Sequence, residues 1–549
     1  MFFRTKRVKD YVYVQIAESR WEEGRSRQRI IATLGRLDQL EASGRLEALL
    51  ESGSRLAQGL LVLAEHQRGE VPTVTARRIG PALVFDRLWR ETGCQAVIEA
   101  LLEERQFGFS VERAIFLEAL HRLVSPGSDR DGYAWKQAYR IEGVEELELH
   151  HAYRAMAWLG EPLDEQGKQG EALAPRCVKD LIEERLFERR RSLFSALDLV
   201  FFDTTSIYFE GAGGESLGQH GHSKDHRPDL KQMVVGVVMD QEGVPMCCEL
   251  WPGNTADVTT LTGVVERLRR RFAIERVCIV ADRGMVSKKT VEALEAQGWP
   301  FILGARMRSV KQVRDEVLSH GGRYQVVVPR GAGKRSASPL KVKEVSIGEH
   351  RYVVCLNEDQ ARKDAADREA IVASLRDRLR RGPKSLVGNK GYRKYVKSAG
   401  AGFVVDEARI EREARYDGKW VLWTNTQLEP AEVALSYKQL WMVEDIFRSM
   451  KTLLATRPIY HRTDEAIRGH VFCSFLALRL RAELEDRLAA KGYGDLEWAS
   501  VVRDIDRLEE VELEKQGKRF VLRTEVQGVA GKVFQAAGVA LPPTIRQVA

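Results

Sequence analysis

Between residues 197 and 305 the chain passes through seven elements in close succession, and their order limits the fold more than any other stretch. Leu197–Phe209 is rich in β-formers and carries Asp203 in its middle. Lys231–Asp240 and Val244–Trp251 are two further apolar runs joined by Gln241-Glu-Gly243, a hairpin turn. Asp257–Phe272 reads as a helix opening on an acidic cap. Arg276–Ala281 is a short strand ending at Asp282, Ser287 caps a helix that stops at Gly298, and Trp299–Ala305 is a fifth strand.

The order β-β-β-α-β-α-β, with three antiparallel strands followed by two right-handed crossovers, gives a mixed sheet with helices on both faces. It is the order of an RNase H-like core that lacks its last helix. The fold class expected is therefore α/β, an RNase H-like mixed sheet with flanking helices. Around it the sequence predicts a β-rich insertion, an N-terminal small sheet and an all-α domain. The missing helix is supplied by Tyr437-Lys-Gln-Leu-Trp-Met-Val-Glu-Asp-Ile-Phe-Arg-Ser-Met-Lys451, which contains neither Gly nor Pro. Tyr437, Glu444 and Lys451 recur at a seven-residue step. On one continuous helix that step returns to within about 20° of the same face. A carboxylate flanked by a phenol and an ammonium suits a metal ion held beside a phosphate.

At 549 residues the chain exceeds one compact core. We divide it into a basic N-terminal module able to contact DNA (1–72), a helical domain (73–196) and the first part of the catalytic core (197–307). There follow an inserted basic α/β subdomain (308–429), the second part of the core (430–490) and a C-terminal helical region (491–549). Residues 38–70 read as a helical connector. The net charge of +7 is a mild excess, and the basic surplus concentrates in the insertion, as suits a polyanion. Seven scattered cysteines without a CxxC argue against a disulfide framework and fit a reducing cytosol. No run approaches the ~20 apolar residues of a membrane span, and a cytoplasmic location is expected.

Asp203 and Asp282 fall on strands that are neighbours in such a core, and the Tyr437–Lys451 helix can bring Glu444 to the same edge. Three converging carboxylates without thiolates favour hard divalent cations, Mg²⁺ or Mn²⁺, as a pair at a phosphodiester. An Asp inside an apolar strand is costly unless paired or metal-bound. In the 219–232 loop, His220, His222 and His226 lack the further ligand that a zinc site needs. Lys224, Arg227 and Lys231 suit phosphate or the surroundings of Asp203. Trp420 and Trp423 read as core aromatics before base-stacking ones.

Phe202-Asp203-Thr-Thr-Ser-Ile-Tyr-Phe-Glu210, Ser223-Lys-Asp-His-Arg-Pro-Asp-Leu-Lys-Gln232, Gly253-Asn-Thr-Ala-Asp257, Ala281-Asp-Arg-Gly284, the Tyr437–Lys451 helix and Arg457-Pro-Ile-Tyr-His461 together resemble the DDE transposases of bacterial insertion sequences, in the subgroup with an insertion before the final Glu helix. The resemblance implies that Asp203, Asp282 and Glu444 are the catalytic, metal-binding triad, and that Tyr437 and Lys451 hold DNA near the cleaved phosphate. The family's helix carries a basic residue three after the Tyr. This chain has Leu440 there, and Arg448 is the substitute expected. The activity implied is metal-dependent cleavage at terminal inverted repeats and strand transfer into target DNA, by a dimer or larger assembly on double-stranded DNA. The competing readings are an RNase H-like nuclease that never joins ends, and a non-catalytic DNA-binding descendant.

Overall fold

The computed structural model describes residues 2–9, 11–22, 25–42, 73–163, 175–191, 199–211, 213–272, 274, 277–327, 340–381, 392, 394–399, 402–454, 456–457, 459–515 and 518–548. Most of the expected 38–70 connector lies outside them. The chain forms two compact units. One comprises residues 1–75, 511–522 and 545–549, and the other residues 76–510 and 523–544.

In the first unit β1 (Phe2–Val8), β2 (Tyr11–Glu22) and β3 (Arg25–Arg36) form an antiparallel sheet in that order. The basic stretch after residue 24 is thus a strand, and its described residues are exposed or half-buried. A strand at Thr73–Arg78 (β4) forms one edge of a separate four-stranded sheet.

The second unit holds the expected core. β5 (Leu199–Tyr208), β6 (Gln232–Asp240), β7 (Pro245–Pro252), β8 (Cys278–Ala281) and β9 (Phe301–Ala305) appear in sequence. β5 pairs antiparallel with β6 and parallel with β8, β6 pairs antiparallel with β7, and β8 runs parallel to β9. The resulting order, β7-β6-β5-β8-β9, is that of the RNase H-like fold. Every residue of β6, β8 and β9 is buried, which follows from coverage of both faces. Alternation along the strands sends Val200, Phe202, Ile279 and Ala281 to one face, where the helices 257–272 and 288–296 cover them. Phe201, Val280 and Ile302 go to the other, against Val443, Ile446, Phe447 and the long Asp464–Ala490 helix.

That 27-residue helix is buried on nearly all sides from Ala466 to Leu480, with Arg468, His470 and Arg479 among the buried residues. It packs against the Val111–Val124 and Leu149–Leu159 helices, so the helical segment and the sheet share one continuous core. The helix at Asp129–Trp135 begins on the Ser128 capping box.

The insertion extends the sheet. β10 (Gln325–Val327), β11 (Leu340–Ile347), β12 (His350–Asn357) and a later strand, β15 (Lys419–Thr424), add to the β9 edge and give nine strands in all. β15 pairs antiparallel with β9, Leu422 lying opposite Gly304. Between β12 and β15 lie the charged Glu358–Arg380 helix and a hairpin of β13 (Val396–Ala399) and β14 (Gly402–Val405). Near the C-terminus the expected short helices occur at Trp498–Asp506 and Ala530–Ala537. They are accompanied by β16 (Glu509–Lys515), β17 (Lys518–Arg523) and β18 (Ile545–Val548), ordered β18-β17-β16-β4. The Val511-Glu-Leu-Glu alternation is a period-two signal that the helix-favouring Glu and Lys residues obscure.

One expectation is corrected. Tyr437–Lys451 is not a single regular helix. It comprises Pro430–Lys438, then a tight join at Gln439 and Leu440, then Trp441–Arg448, and finally a widened turn over Ser449–Leu453. At the join the amides of Leu440, Met442 and Val443 bond three residues back rather than four. The path overwinds there and underwinds after Arg448, so the seven-residue stripe does not continue to Lys451.

Candidate active site

Strand register sets the first two carboxylates side by side. Phe202 lies opposite Ala281 in the parallel β5–β8 pair, so Asp203 and Asp282 are the next residue on each, on strands ~4.8 Å apart. Both share the side-chain parity of Phe201 and Val280, and therefore face the helix that carries Glu444. Asp203, Asp282 and Glu444 line one open cavity of about 270 Å³ together with Trp420, Tyr437, Lys438, Leu440 and Trp441.

Each carboxylate has a distinct environment. Asp203 accepts a 2.7 Å hydrogen bond from its neighbour's amide, Thr204 N. Burial raises its pKa to about 6, opposed by Lys224 and the Thr204 amide and reinforced by Asp282 and Asp257. Asp282 caps the short turn at 283–285 through Gly284 N, and its Oδ1 accepts 2.8 Å from the Tyr437 hydroxyl. That phenol is held far above the ordinary tyrosine range, first by burial and then by the Asp282 charge. Glu444 is exposed at the rim.

The space for Tyr437 is made by a missing side chain. A Cβ on Gly304 of β9 would lie 2.5 Å from the Tyr437 hydroxyl and 2.8 Å from Arg283 N. Gly253 is bare for a similar reason, since a Cβ there would lie 2.0 Å from Gln232 O. This is where the Gly253–Asp257 motif packs against the 219–232 loop.

The basic residues are placed less uniformly. Lys224 Nζ donates to Thr204 O (2.7 Å) and Thr204 Oγ1 (2.9 Å), and lies 3.0 Å from Asp257 Oδ2. It braces the Asp203 strand from within. Arg227 forks onto Asp229 at the surface. Arg448 pairs with Asp445 and is mostly exposed. Lys451 turns away to Asp225, which Arg457 also meets. Trp420 lines the cavity, whereas Trp423 is packed among Phe301, His350 and Tyr352. Sequence reasoning passed over Asp225 and Gly304 and gave Arg457 no role of its own, although two of the three stood inside quoted motifs.

The donor set suits a divalent cation: three carboxylates, one of them desolvated and protonatable near neutrality, and no thiolate or imidazole. Among the described residues their ligand atoms do not all lie within 4.8 Å of one another. The group that does is Asp129, His461 and His470. There, however, Arg122 Nη2 lies 3.0 Å from both Asp129 Oδ1 and His470 Nδ1. His470 Nε2 faces Thr456 O at 3.1 Å, which assigns the proton to Nε2 and the lone pair to Nδ1. A guanidinium already occupies the position a dication would need. Burial keeps this imidazole below its usual range, and the network ties Thr456 and His461 to the helical bundle.

An RNase H-like sheet with two aspartates at adjacent strand positions, and a glutamate on the returning helix beside them, defines a class of metal-dependent enzymes acting on nucleic-acid phosphodiesters. Residues 195–480 match the transposase DDE domain family, and the chain belongs to it. Residues 3–65 match the N-terminal domain of IS1634 family transposases, so this is a DDE transposase of a bacterial insertion sequence, an enzyme that uses divalent metal ions. A comparison with curated proteins gives no match. Among solved structures, a piggyBac transposase synaptic complex with hairpin DNA is similar at 10% identity and TM-score 0.35, covering 78% of this chain and 79% of that one. A Mos1 transposase paired-end complex with the left transposon end gives 15% identity and TM-score 0.15, covering 36% and 60%. No helix among the described residues is long and apolar enough to cross a membrane.

Proposed function

We propose that the chain binds the terminal inverted repeats of its element, cuts there to expose 3′-hydroxyls, and joins them to target DNA as a dimer or larger assembly on double-stranded DNA. Asp203, Asp282 and Glu444 form the catalytic triad and would hold Mg²⁺ or Mn²⁺, as two ions. The observation that carries this reading is the shared cavity: two register-adjacent aspartates and the rim glutamate face the same space.

Bound there, divalent cations supply an activated oxygen nucleophile and neutralise charge at the phosphodiester. The chain's own residues do the rest. Asp203 gives up its proton on taking a ligand role. The Tyr437 hydroxyl fixes the rotation of Asp282. Glu444 closes from the rim. Both cutting and joining are displacements at phosphorus, so one triad serves both. Tyr437, Arg448, Lys451, Lys224 and Arg227 contact DNA, with Arg448 and Arg227 the most accessible and Lys224 acting chiefly through the Asp203 strand.

The test uses labelled ends, both intact and pre-cut, with a plasmid target. Glu444→Gln and Asp282→Asn should lose cleavage and joining by several orders of magnitude while still binding duplex. Cleavage by the wild type without joined product would favour a nuclease. Unchanged activity in either variant would remove the triad.

A further inference from the structure

Two cations converge on one carboxylate beside the candidate active site. Lys451 Nζ lies 2.9 Å from Asp225 Oδ1, and Arg457 Nη1 lies 2.7 Å from Asp225 Oδ2, all three side chains being largely shielded. Asp225 comes from the loop between β5 and β6, whereas Lys451 and Arg457 follow the Glu444 helix. Surplus positive charge surrounds the contact. Burial holds the Lys451 ammonium below the ordinary lysine range, and Arg457 and Lys224 press it the same way.

The fit of the carboxylate is incomplete. Despite the 2.7 Å approach, Asp225 Oδ2 receives no aligned hydrogen bond. A phosphodiester offers two charged oxygens in a tetrahedral arrangement, which answers an ammonium and a guanidinium from different directions better than a planar carboxylate does. The loop is also under backbone tension: the next residue, His226, has φ of 58°, a conformation that non-glycine residues seldom adopt.

We propose that Lys451 and Arg457 form a clamp for one phosphate of the DNA backbone, and that in the DNA-free chain Asp225 occupies it. Arg457 is then a phosphate-binding residue, and Asp225 is an internal competitor that must swing out when DNA enters. The idea rests on the DNA-processing function proposed above.

Fluorescence anisotropy with a short random-sequence duplex, in EDTA and over a salt series, tests it. Asp225→Asn should bind about tenfold more tightly than wild type at low salt, the scale of two partly buried ion pairs given up. Its log K against log salt should steepen by about one. Arg457→Gln should weaken binding and flatten that slope by about one, and should remove most of the Asp225→Asn gain when the two are combined. In the wild type, hydrogen exchange at the amides of Lys224 and Arg227, now bonded to Ser206 Oγ and Ser223 Oγ, should accelerate on adding duplex. A folded Asp225→Asn protein that binds no better than wild type, or slower exchange over these amides, overturns the clamp. If that variant does not fold, the wild-type exchange result decides. Wild-type protein that binds no duplex at all would overturn the proposed function as well.

Discussion

Asp203→Asn should abolish catalysis and yet stabilise the protein, and the size of the gain follows from the position of the carboxylate. Its pKa is raised from 3.8 to about 6, chiefly by burial. A carboxyl group with a raised folded pKa keeps its proton longer in the folded chain than in the unfolded one. Stability is therefore undiminished below about pH 4, falls as pH rises toward 6, and stays reduced above that. At about 1.4 kcal/mol per factor of ten, the full loss above neutrality is roughly 3 kcal/mol. Asparagine keeps an oxygen for the Thr204 amide but gives up the attraction of Lys224, so a net gain of about 1–3 kcal/mol is expected near pH 8. Near pH 4 the gain should vanish. Thermal unfolding in EDTA, at both pH values, measures the difference. Adding Mg²⁺ should then raise the midpoint of the wild type more than that of the variant, because the ligand binds the folded site that retains its charge. A variant no more stable than wild type near pH 8, or a gap that does not change with pH, would refute the assignment of Asp203 as a desolvated carboxylate awaiting a cation.

Two further outcomes follow from the packing around the site. Gly304→Val should displace the Tyr437 hydroxyl from Asp282, since even a Cβ would lie 2.5 Å from it; cleavage should fall by about ten- to a hundredfold with duplex binding retained, as expected of ligand misorientation, and Tyr437→Phe should reproduce part of that loss. Arg271→Ala should destabilise the fold by about 3–5 kcal/mol in denaturant unfolding. Its guanidinium is buried against Glu183 (2.6 Å), Glu184 (2.7 Å), Glu249 (3.0 Å) and Asp180 (3.2 Å), and removing it leaves these four shielded carboxylates to only Lys179, Arg176 and Arg267 among the described residues.

The sheet was legible because its strands are covered on both faces. Continuous apolar runs broken by Gln241-Glu-Gly243 and by capped helices have few other ways to fold, and the observed order of β5 to β9 combines antiparallel neighbours β5-β6-β7 with two crossovers. The neighbourhood of Asp203 and Asp282 was legible for the same reason, because this strand order makes their two strands neighbours. What escaped was set by tertiary contacts without a periodic signature. The strands of the insertion were visible, but that they prolong the β9 edge depends on which edge was free. The helix around Glu444 has good formers throughout, so nothing local announces the tight join at Leu440. Leu440 is itself buried, and bringing it inward is what carries Glu444 onto the cavity beside Tyr437 while Lys451 turns to Asp225. The family's basic residue at that position would have to lie where this chain packs an aliphatic side chain. Positive charge at the cavity therefore comes from Lys438 in its lining, and the pair that converges nearby, Lys451 with Arg457, is already engaged by a carboxylate.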